Sequence, residues 1–128
     1  MLFDTDVLIW AFRGKEKAAK IIEDTPERYV SVITYMELMQ GVRNQQESSA
    51  IKSFLSDYFH MLPLTENIGH RAAIYMEEYG LKAGMRLADA LIAATAVENN
   101  IPLCTGNRKH YRVINELSIK HFKQPGGG

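Results

Sequence analysis

The sequence predicts an α/β fold built around a central parallel β-sheet, and two observations support this. Short apolar segments typical of strands lead repeatedly into longer segments with helical spacing, which is the pattern of βα units. The chain has 128 residues, 46% of them hydrophobic and 23% charged, and these values are typical of a globular domain with a buried core. We expect a single domain over residues 1–123. Residues 124–128 end in three glycines, and we expect them to form a disordered tail.

Five short segments are predicted as strands, and each of the first four precedes a helical pattern. They are residues 1–4, 29–33, 60–62, 102–105 and 118–122. Apolar residues recur at helical spacing in residues 50–59 and 68–79, which predicts two amphipathic helices. Thr34 and Glu37 have the spacing of a capping box, so Thr34 is the predicted N-cap of another helix. Thr65 is predicted to begin the helix over residues 68–79 in a similar way.

Three almost uninterrupted apolar segments each carry isolated acids. The segments are residues 2–12, 30–42 and 87–97, and their acids are, respectively, Asp4 with Asp6, Glu37, and Asp89. An isolated carboxylate in a region of low dielectric constant must be paired, protonated or bound to a cation. Since the three segments are spread over most of the chain, we expect the fold to gather their acids into one site.

The predicted sheet also explains how these acids could meet. Asp4 ends the first predicted strand and Glu37 follows the second by about one helical turn, so both lie at the carboxyl edge where open parallel sheets bind ligands. Asp89 lies in the first turn of a helix that is apolar on nearly every side. Oxygen ligands without His or Cys favour Mg²⁺ or Mn²⁺ over Zn²⁺. Metal-assisted hydrolysis of a phosphodiester is the chemistry that such a site supports.

Each acid also has a local, structural interpretation. Glu37 fits the third position of the predicted capping box, and Asp4 could end a strand by accepting hydrogen bonds from the next turn. Asp89 is harder to explain locally, because its helix is apolar on nearly every side and a lone acid there must face something polar. Cys104 is the only cysteine and lies in an apolar segment, so it is predicted to be a core residue rather than a nucleophile.

Charge and hydropathy restrict the class of protein. Lys and Arg together number 15, as do Asp and Glu, so no overall field attracts polyanions. Residues 105–123 nevertheless contain a single acid and five basic residues, namely Arg108, Lys109, Arg112, Lys120 and Lys123. These could contact phosphates, and a solvated surface is an equally good interpretation. No segment is long enough to span a membrane and no signal peptide is evident, so we expect a cytoplasmic protein.

The order of three motifs resembles the PIN-domain family and, within it, the VapC-type toxins of toxin–antitoxin pairs. The motifs are LFDTDVLIW from residue 2, SVITYMEL from residue 31, and RLADALIAATAVENNIPLCTGN from residue 86. The resemblance implies a three-layer α/β/α fold and an endoribonuclease that depends on Mg²⁺ or Mn²⁺. It matches Asp4, Glu37 and Asp89 to the family's catalytic acids and metal ligands. It also implies an RNA substrate, a cognate antitoxin that inhibits the enzyme, and a homodimer.

The resemblance extends to a fourth polar position, with one departure. Asn107 matches the first slot of this region and is a candidate catalytic residue, whereas His110 stands where the family frequently has Asp. His110 lies either at the rim of the acidic site or beside Tyr111 in contact with solvent. A catalytically impaired PIN-fold binding module is therefore one alternative. In the nuclease interpretation, Asp6 is expected to cap the first helix.

A second alternative is a phosphatase of the haloacid-dehalogenase type, which the segment Asp4-Thr5-Asp6-Val7 also resembles. In that family the first Asp is the nucleophile and the second is an acid or base. Such an enzyme needs an acidic pair after a late strand. The region after the strand at residues 102–105 offers Asn107 and His110 but no Asp, which disfavours this alternative.

Overall fold

The computed structural model describes residues 1–125, which form a five-stranded parallel sheet with helices on both faces. The strands are β1 (Leu2–Phe3), β2 (Tyr29–Ser31), β3 (His60–Leu62), β4 (Leu103–Thr105) and β5 (Ile119–His121). The helices are α1 (Thr5–Phe12), α2 (Glu16–Asp24), α3 (Val32–Gln40), α4 (Gln45–Tyr58), α5 (Glu66–Ala83), α6 (Leu87–Glu98) and α7 (Arg108–Tyr111). The predicted three-layer α/β/α fold class is confirmed. None of these helices is long and apolar enough to cross a membrane.

The order of the strands creates a crevice beyond the central pair. The sheet runs β3-β2-β1-β4-β5, and every neighbouring pair is parallel. The chain moves outward from β1 to β3 and then returns to the other side of β1 with β4 and β5. The strand order therefore reverses between β1 and β4, and ligands of open parallel sheets bind beyond the carboxyl ends at this point. Asp4 directly follows β1, and Asn107 lies two residues beyond β4.

The two central strands supply one residue to each of two hydrophobic cores. Leu2 and Leu103 belong to the core that packs against α5 and α6. Phe3 and Cys104 face the other way, into the core formed with α1, α2 and α4. Successive side chains of a strand point to opposite faces of the sheet. Since helices cover both faces, all four side chains are fully buried. The prediction that Cys104 is a core residue is confirmed.

The start of α3 differs from the prediction. β2 ends at Ser31, two residues earlier than expected, because Ser31 rather than Thr34 is the N-cap. The Ser31 hydroxyl oxygen accepts a hydrogen bond from Ile33 N at 3.0 Å, so the helix begins at Val32. Thr34 is fully buried within the first turn. The predicted capping box was therefore wrong, and Glu37 lies in the second turn without a capping role.

Thr65 caps α5 as predicted, because its hydroxyl accepts a hydrogen bond from Ile68 N at 3.2 Å. In α1, Trp10 packs against the core. Phe12, by contrast, is 41% exposed, and its ring makes an edge-on contact with Phe54. Part of the apolar surface of α1 is therefore open to solvent.

We expect the replacement of Phe3 by alanine to lower the free energy of unfolding by about 3–5 kcal/mol. The reason is that the fully buried ring would leave a cavity at the centre of the sheet and lose its edge-on contact with Phe59. The matched change Phe12→Ala should cost about 1 kcal/mol, because that ring is partly exposed. Urea denaturation measures both values. Equal destabilisation by the two changes would contradict the assignment of Phe3 to the core.

Candidate metal-binding active site

One open cleft at the carboxyl edge of the sheet contains all the candidate site residues. The cleft has a volume of about 410 Å³, and its lining includes Asp4, Glu37, Asp89, Asn107 and His110. The three acids come from the end of β1, from α3 and from the first turn of α6. The fold thus brings together carboxylates that are far apart in sequence, at the point where the strand order reverses.

Asp4 is the most deeply buried of these acids, with 5% of its surface exposed. It is the N-cap of α1, where its Oδ1 accepts a hydrogen bond from Thr5 N at 2.8 Å. Its Oδ2 accepts hydrogen bonds from the hydroxyls of Thr105 at 2.7 Å and Tyr111 at 3.1 Å. Burial, together with repulsion from Asp6, raises the pKa of Asp4 to about 7 despite these donors. Within residues 1–125, no basic side chain forms an ion pair with Asp4.

Glu37 is half-buried and is held by a threonine of the neighbouring helix. The hydroxyl of Thr5, the first residue of α1, donates a hydrogen bond to Glu37 Oε1 at 2.6 Å. The same hydroxyl lies 3.0 Å from Thr34 Oγ1, one turn before Glu37 in α3. The contact between α1 and α3 therefore fixes the position of this carboxylate relative to Asp4.

Asp89 shares a hydrogen-bond donor with Asp4. The Tyr111 hydroxyl lies 3.3 Å from Asp89 Oδ1 as well as 3.1 Å from Asp4 Oδ2, and the tyrosine is fully buried. Burial, with the charges of Asp4 and Asp89 beside it, raises the pKa of Tyr111 well above its usual value. The phenol thus stays protonated and links two acids from different elements.

His110 lies at the rim of the acidic cleft. Its Nδ1 is 3.7 Å from Asp89 Oδ2, and its side chain is 43% exposed. Of the two placements considered from the sequence, the structure has the one at the rim. His110 adds a ring nitrogen to the cleft where a carboxylate would add negative charge. The other three histidines, His60, His70 and His121, are exposed.

Asn107 is connected to Asp4 through Thr105. The backbone N–H of Asn107 donates to Thr105 Oγ1 at 3.0 Å, and the Thr105 hydroxyl in turn donates to Asp4. The side-chain oxygen of Asn107 lies 3.5 Å from Gln124 Nε2. The segment that follows β4 is thereby attached to the acid that follows β1.

Asp6 does not cap α1, contrary to the prediction, because Asp4 is the N-cap. Asp6 Oδ2 instead accepts hydrogen bonds from Gly106 N at 2.9 Å and Gln124 Nε2 at 3.3 Å. A β-carbon at Gly106 would lie 2.6 Å from Asp6 Oδ2, so any other residue here would have to displace the Asp6 side chain. Burial raises the pKa of Asp6. Gln124, assigned to the tail from the sequence, contacts the folded domain, whereas residues 126–128 lie outside the described part of the chain.

The donor set of the cleft suits a hydrated Mg²⁺ or Mn²⁺ ion. Asp4, Glu37 and Asp89 supply carboxylate oxygens and Asn107 an amide oxygen, with no thiolate among them. Asp6 Oδ1 is buried and has no hydrogen-bond partner among the described residues. Among residues 1–125, no group of three or more His, Cys, Asp or Glu side chains is arranged so that it could hold a metal ion as it stands. Mg²⁺ usually keeps several waters and binds through one or two carboxylates, so an open cleft with a few carboxylates is compatible with a hydrated ion.

Sequence reasoning missed several residues of the cleft. Arg86, one turn before Asp89, lines it and adds a cation. Thr5 and Tyr111 hold the acids through their hydroxyls. Arg86 could have been found from its spacing to Asp89. A hydroxyl among apolar neighbours, however, has no sequence signal that separates a role in a site from ordinary core packing.

The elevated pKa of Asp4 predicts how the metal-free protein responds to pH. Between the usual value of 3.8 and about 7, the folded state binds more protons than the unfolded state. The free energy of unfolding in a chelating buffer should therefore fall as the pH rises through this window. Thermal melts at a series of pH values measure the slope.

Saturating Mg²⁺ is the control for this prediction. Because the ion binds ionised carboxylates, it should stabilise the protein more at higher pH and reduce or reverse the slope. Identical pH profiles with and without Mg²⁺ would contradict the assignment of Asp4 to a metal site, and a flat profile in the chelating buffer would contradict its raised pKa.

Comparison with known proteins supports a specific family. The family model for the PIN domain matches residues 1–115. The chain is 33% identical over 131 residues to the Ribonuclease VapC10 of Mycobacterium tuberculosis, with 98% of this chain and 96% of that protein covered. It is 30% identical over 125 residues to the Ribonuclease VapC1 of Methanocaldococcus jannaschii, covering 95% of this chain and 86% of that protein.

Solved structures agree with these sequence matches. A toxin–antitoxin complex from Klebsiella pneumoniae contains a chain that superposes with a TM-score of 0.78 at 32% identity, covering 91% of this chain and 93% of that one. The DNA-bound VapBC of Salmonella typhimurium gives a TM-score of 0.82 at 20% identity, covering 94% and 96%, and supports the fold alone. The family match, the relatives and the strand order agree, and the chain therefore belongs to the PIN-domain family and, within it, to the VapC group.

Proposed function

We propose that this protein is a metal-dependent endoribonuclease and the toxin of a type II toxin–antitoxin pair. The observation that carries the proposal is the meeting of Asp4, Glu37 and Asp89 in one cleft at the switch point of the sheet. Relatives that cover nearly the whole chain are named ribonucleases, which supports the same activity. We infer that Asp4, Glu37 and Asp89 are the metal ligands and that Asn107 is a catalytic residue.

The residues of the cleft have separable tasks in this mechanism. When bound, Mg²⁺ or Mn²⁺ would activate water and neutralise charge on the phosphate undergoing attack. Thr5 and Tyr111 hold the carboxylates by hydrogen bonds, and Arg86 offers a positive charge to a phosphate oxygen at the rim. Asn107 can orient the substrate or a water through its side-chain amide. The buried donors fix the acids, so little rearrangement is needed when RNA binds.

The phosphatase alternative is disfavoured by the surroundings of Asp4. A nucleophilic carboxylate needs a free oxygen aimed at the substrate. Both oxygens of Asp4 accept hydrogen bonds, and only 5% of the residue is exposed. These contacts suit a ligand or an anchoring residue better than a nucleophile. The binding-module alternative was based on His110 at a position where the family frequently has Asp. All three acids nevertheless line the cleft beside His110, which favours the nuclease.

An apolar groove away from the cleft is suited to an antitoxin. The groove lies between α1, α2 and α4 and has a volume of about 610 Å³. Its lining includes Phe12, Ile22, Ile51, Phe54 and Tyr58. Phe12 is 41% exposed and Tyr58 is 55% exposed, so apolar surface is available to an amphipathic segment. We propose that the cognate antitoxin, the partner implied by the resemblance, places such a segment here.

The expected homodimer and cytoplasmic location remain predictions. Exposed apolar side chains on α3, α5 and α6 are available for contacts between subunits, namely Met36, Ile74, Leu81 and Leu87. A cytoplasmic location follows from the proposed activity, since a toxin that cleaves cellular RNA acts where that RNA is held.

We expect Asp89→Asn to reduce RNA cleavage by at least about 100-fold while preserving the fold. The amide keeps the shape of the side chain but removes the charge that would bind the metal. Cleavage of total RNA by the purified protein in Mg²⁺ or Mn²⁺, with and without a chelator, is the measurement. Asp57→Asn is the matched control, because Asp57 is exposed on α4 and does not line the cleft. Activity that survives in Asp89→Asn, or in the chelator, would overturn the proposal.

The antitoxin groove has its own matched pair of variants. Phe12→Asp should weaken binding of the co-expressed antitoxin by about tenfold or more, because it places a charge where apolar surface is to be buried. Leu64→Asp is the control, since Leu64 is 42% exposed, close to the 41% of Phe12, and lies outside the groove. Co-purification and titration calorimetry measure the effect. Equal binding by the two variants would exclude the groove as the docking site.

A further inference from the structure

The charges of this neutral chain are separated on its surface. A set of exposed basic residues, called here the basic strip, lies on α2, α7, β5 and the segments next to them. Its members are Lys17, Lys20, Arg108, Lys109, Arg112, Lys120, His121 and Lys123. The one acid that lines the same clefts is Asp24, which forms an ion pair with Lys20 at 3.3 Å. The side chains that line these two clefts therefore carry a surplus of positive charge, on a protein whose net charge is zero.

The basic strip adjoins the acidic cleft. A cleft of about 340 Å³ contains Arg108, Lys109 and Arg112, and it shares Asn107 with the acidic cleft. A further cleft of about 600 Å³ contains the lysines of α2 and β5, and it shares His121 with the first of the two. Because each cleft shares a residue with the next, the three clefts are adjacent on the surface. A polymer could therefore run along them in order.

The opposite charge collects elsewhere. The cleft between α5 and α6 is lined by Glu78, Glu98 and Glu116. Two of these acids, Glu98 and Glu116, form ion pairs with Arg71. That surface would repel a polyanion, whereas the basic strip would attract one.

In a nuclease with this charge distribution, the carboxylates of the cleft oppose RNA binding and the basic strip can promote it. The three carboxylates of the acidic cleft repel phosphates, Arg86 is the one Arg or Lys in its lining, and the net charge of the molecule is zero. Cations outside the cleft can therefore add to the affinity for RNA. We propose that the basic strip binds the phosphates of the RNA strand on one side of the scissile bond, an inference that rests on the proposed ribonuclease activity. The strand enters at Asn107, passes α7 and continues between α2 and β5.

The test measures RNA binding in chelator, where cleavage does not occur. Lys17→Glu combined with Lys120→Glu should weaken binding of a single-stranded RNA of about 16 nucleotides by about tenfold and lower the salt dependence of log Kd by about 2. Lys17 and Lys120 line the cleft that shares no residue with the acidic cleft, and they lie on different elements. Fluorescence anisotropy over a range of salt concentrations gives both quantities.

The control carries the same change of charge elsewhere on the surface. Lys52→Glu combined with Lys82→Glu alters exposed lysines of α4 and α5 that line none of the three clefts. This variant should keep an affinity within about twofold of the unmodified protein. Thermal melts of both variants establish that each is folded.

Equal weakening by the two variants would overturn the inference, because it would show a dependence on total charge alone. Unchanged binding by Lys17→Glu with Lys120→Glu would overturn it as well. The outcome is distinct from that of the cleavage experiment. A protein that cleaves RNA but binds it without the strip retains the proposed function and loses this inference. A protein that binds RNA through the strip and cleaves none loses the proposed function.

Discussion

Burial of the Asp4 carboxylate constrains the rest of the structure, because a desolvated charge without a cation needs donors from several directions. Thr5 supplies one from α1, Thr105 one from β4, and Tyr111 one from α7. The contacts from Thr105 and Tyr111 join segments that are more than a hundred residues apart, so the edge with the acidic cleft and the centre of the fold are stabilised together. Even with three donors, the pKa of Asp4 stays near 7, and the remaining unfavourable charge is what a divalent ion would relieve.

Both halves of the chain supply acids and hydrogen-bond donors to the cleft. The first half contributes Asp4 and Glu37, and the contact from Thr5 sets their relative position. The second half contributes Asp89, together with Tyr111, which reaches both Asp89 and Asp4. Hydrophobic packing on either side of β1 and β4 keeps these donors and acceptors at fixed distances. Cationic side chains lie outside this centre, at the rim and along one flank, where they do not neutralise the three acids.

The sequence was sufficient for the fold class and for the location of the acids, for a physical reason. A charge isolated in an apolar segment is a strong signal, and Asp4, Glu37 and Asp89 each produced it. Local capping was harder to predict, because Ser31 and Thr34 are both good N-cap residues and only the end of β2 decides between them.

The contacts of Asp6 and Tyr111 could not be predicted from the sequence either, since their partners, Gly106 and Asp4, lie about a hundred residues away.

The wide separation of the site residues along the chain has a consequence during synthesis. A growing chain that has reached α5 carries Asp4 and Glu37 but lacks Asp89, β4 and the hydroxyls that stabilise Asp4. β1 then has β2 beside it but not yet β4, its second neighbour in the finished sheet. A nascent chain at this stage therefore could not yet assemble the proposed cleavage site beside the RNA of its own ribosome.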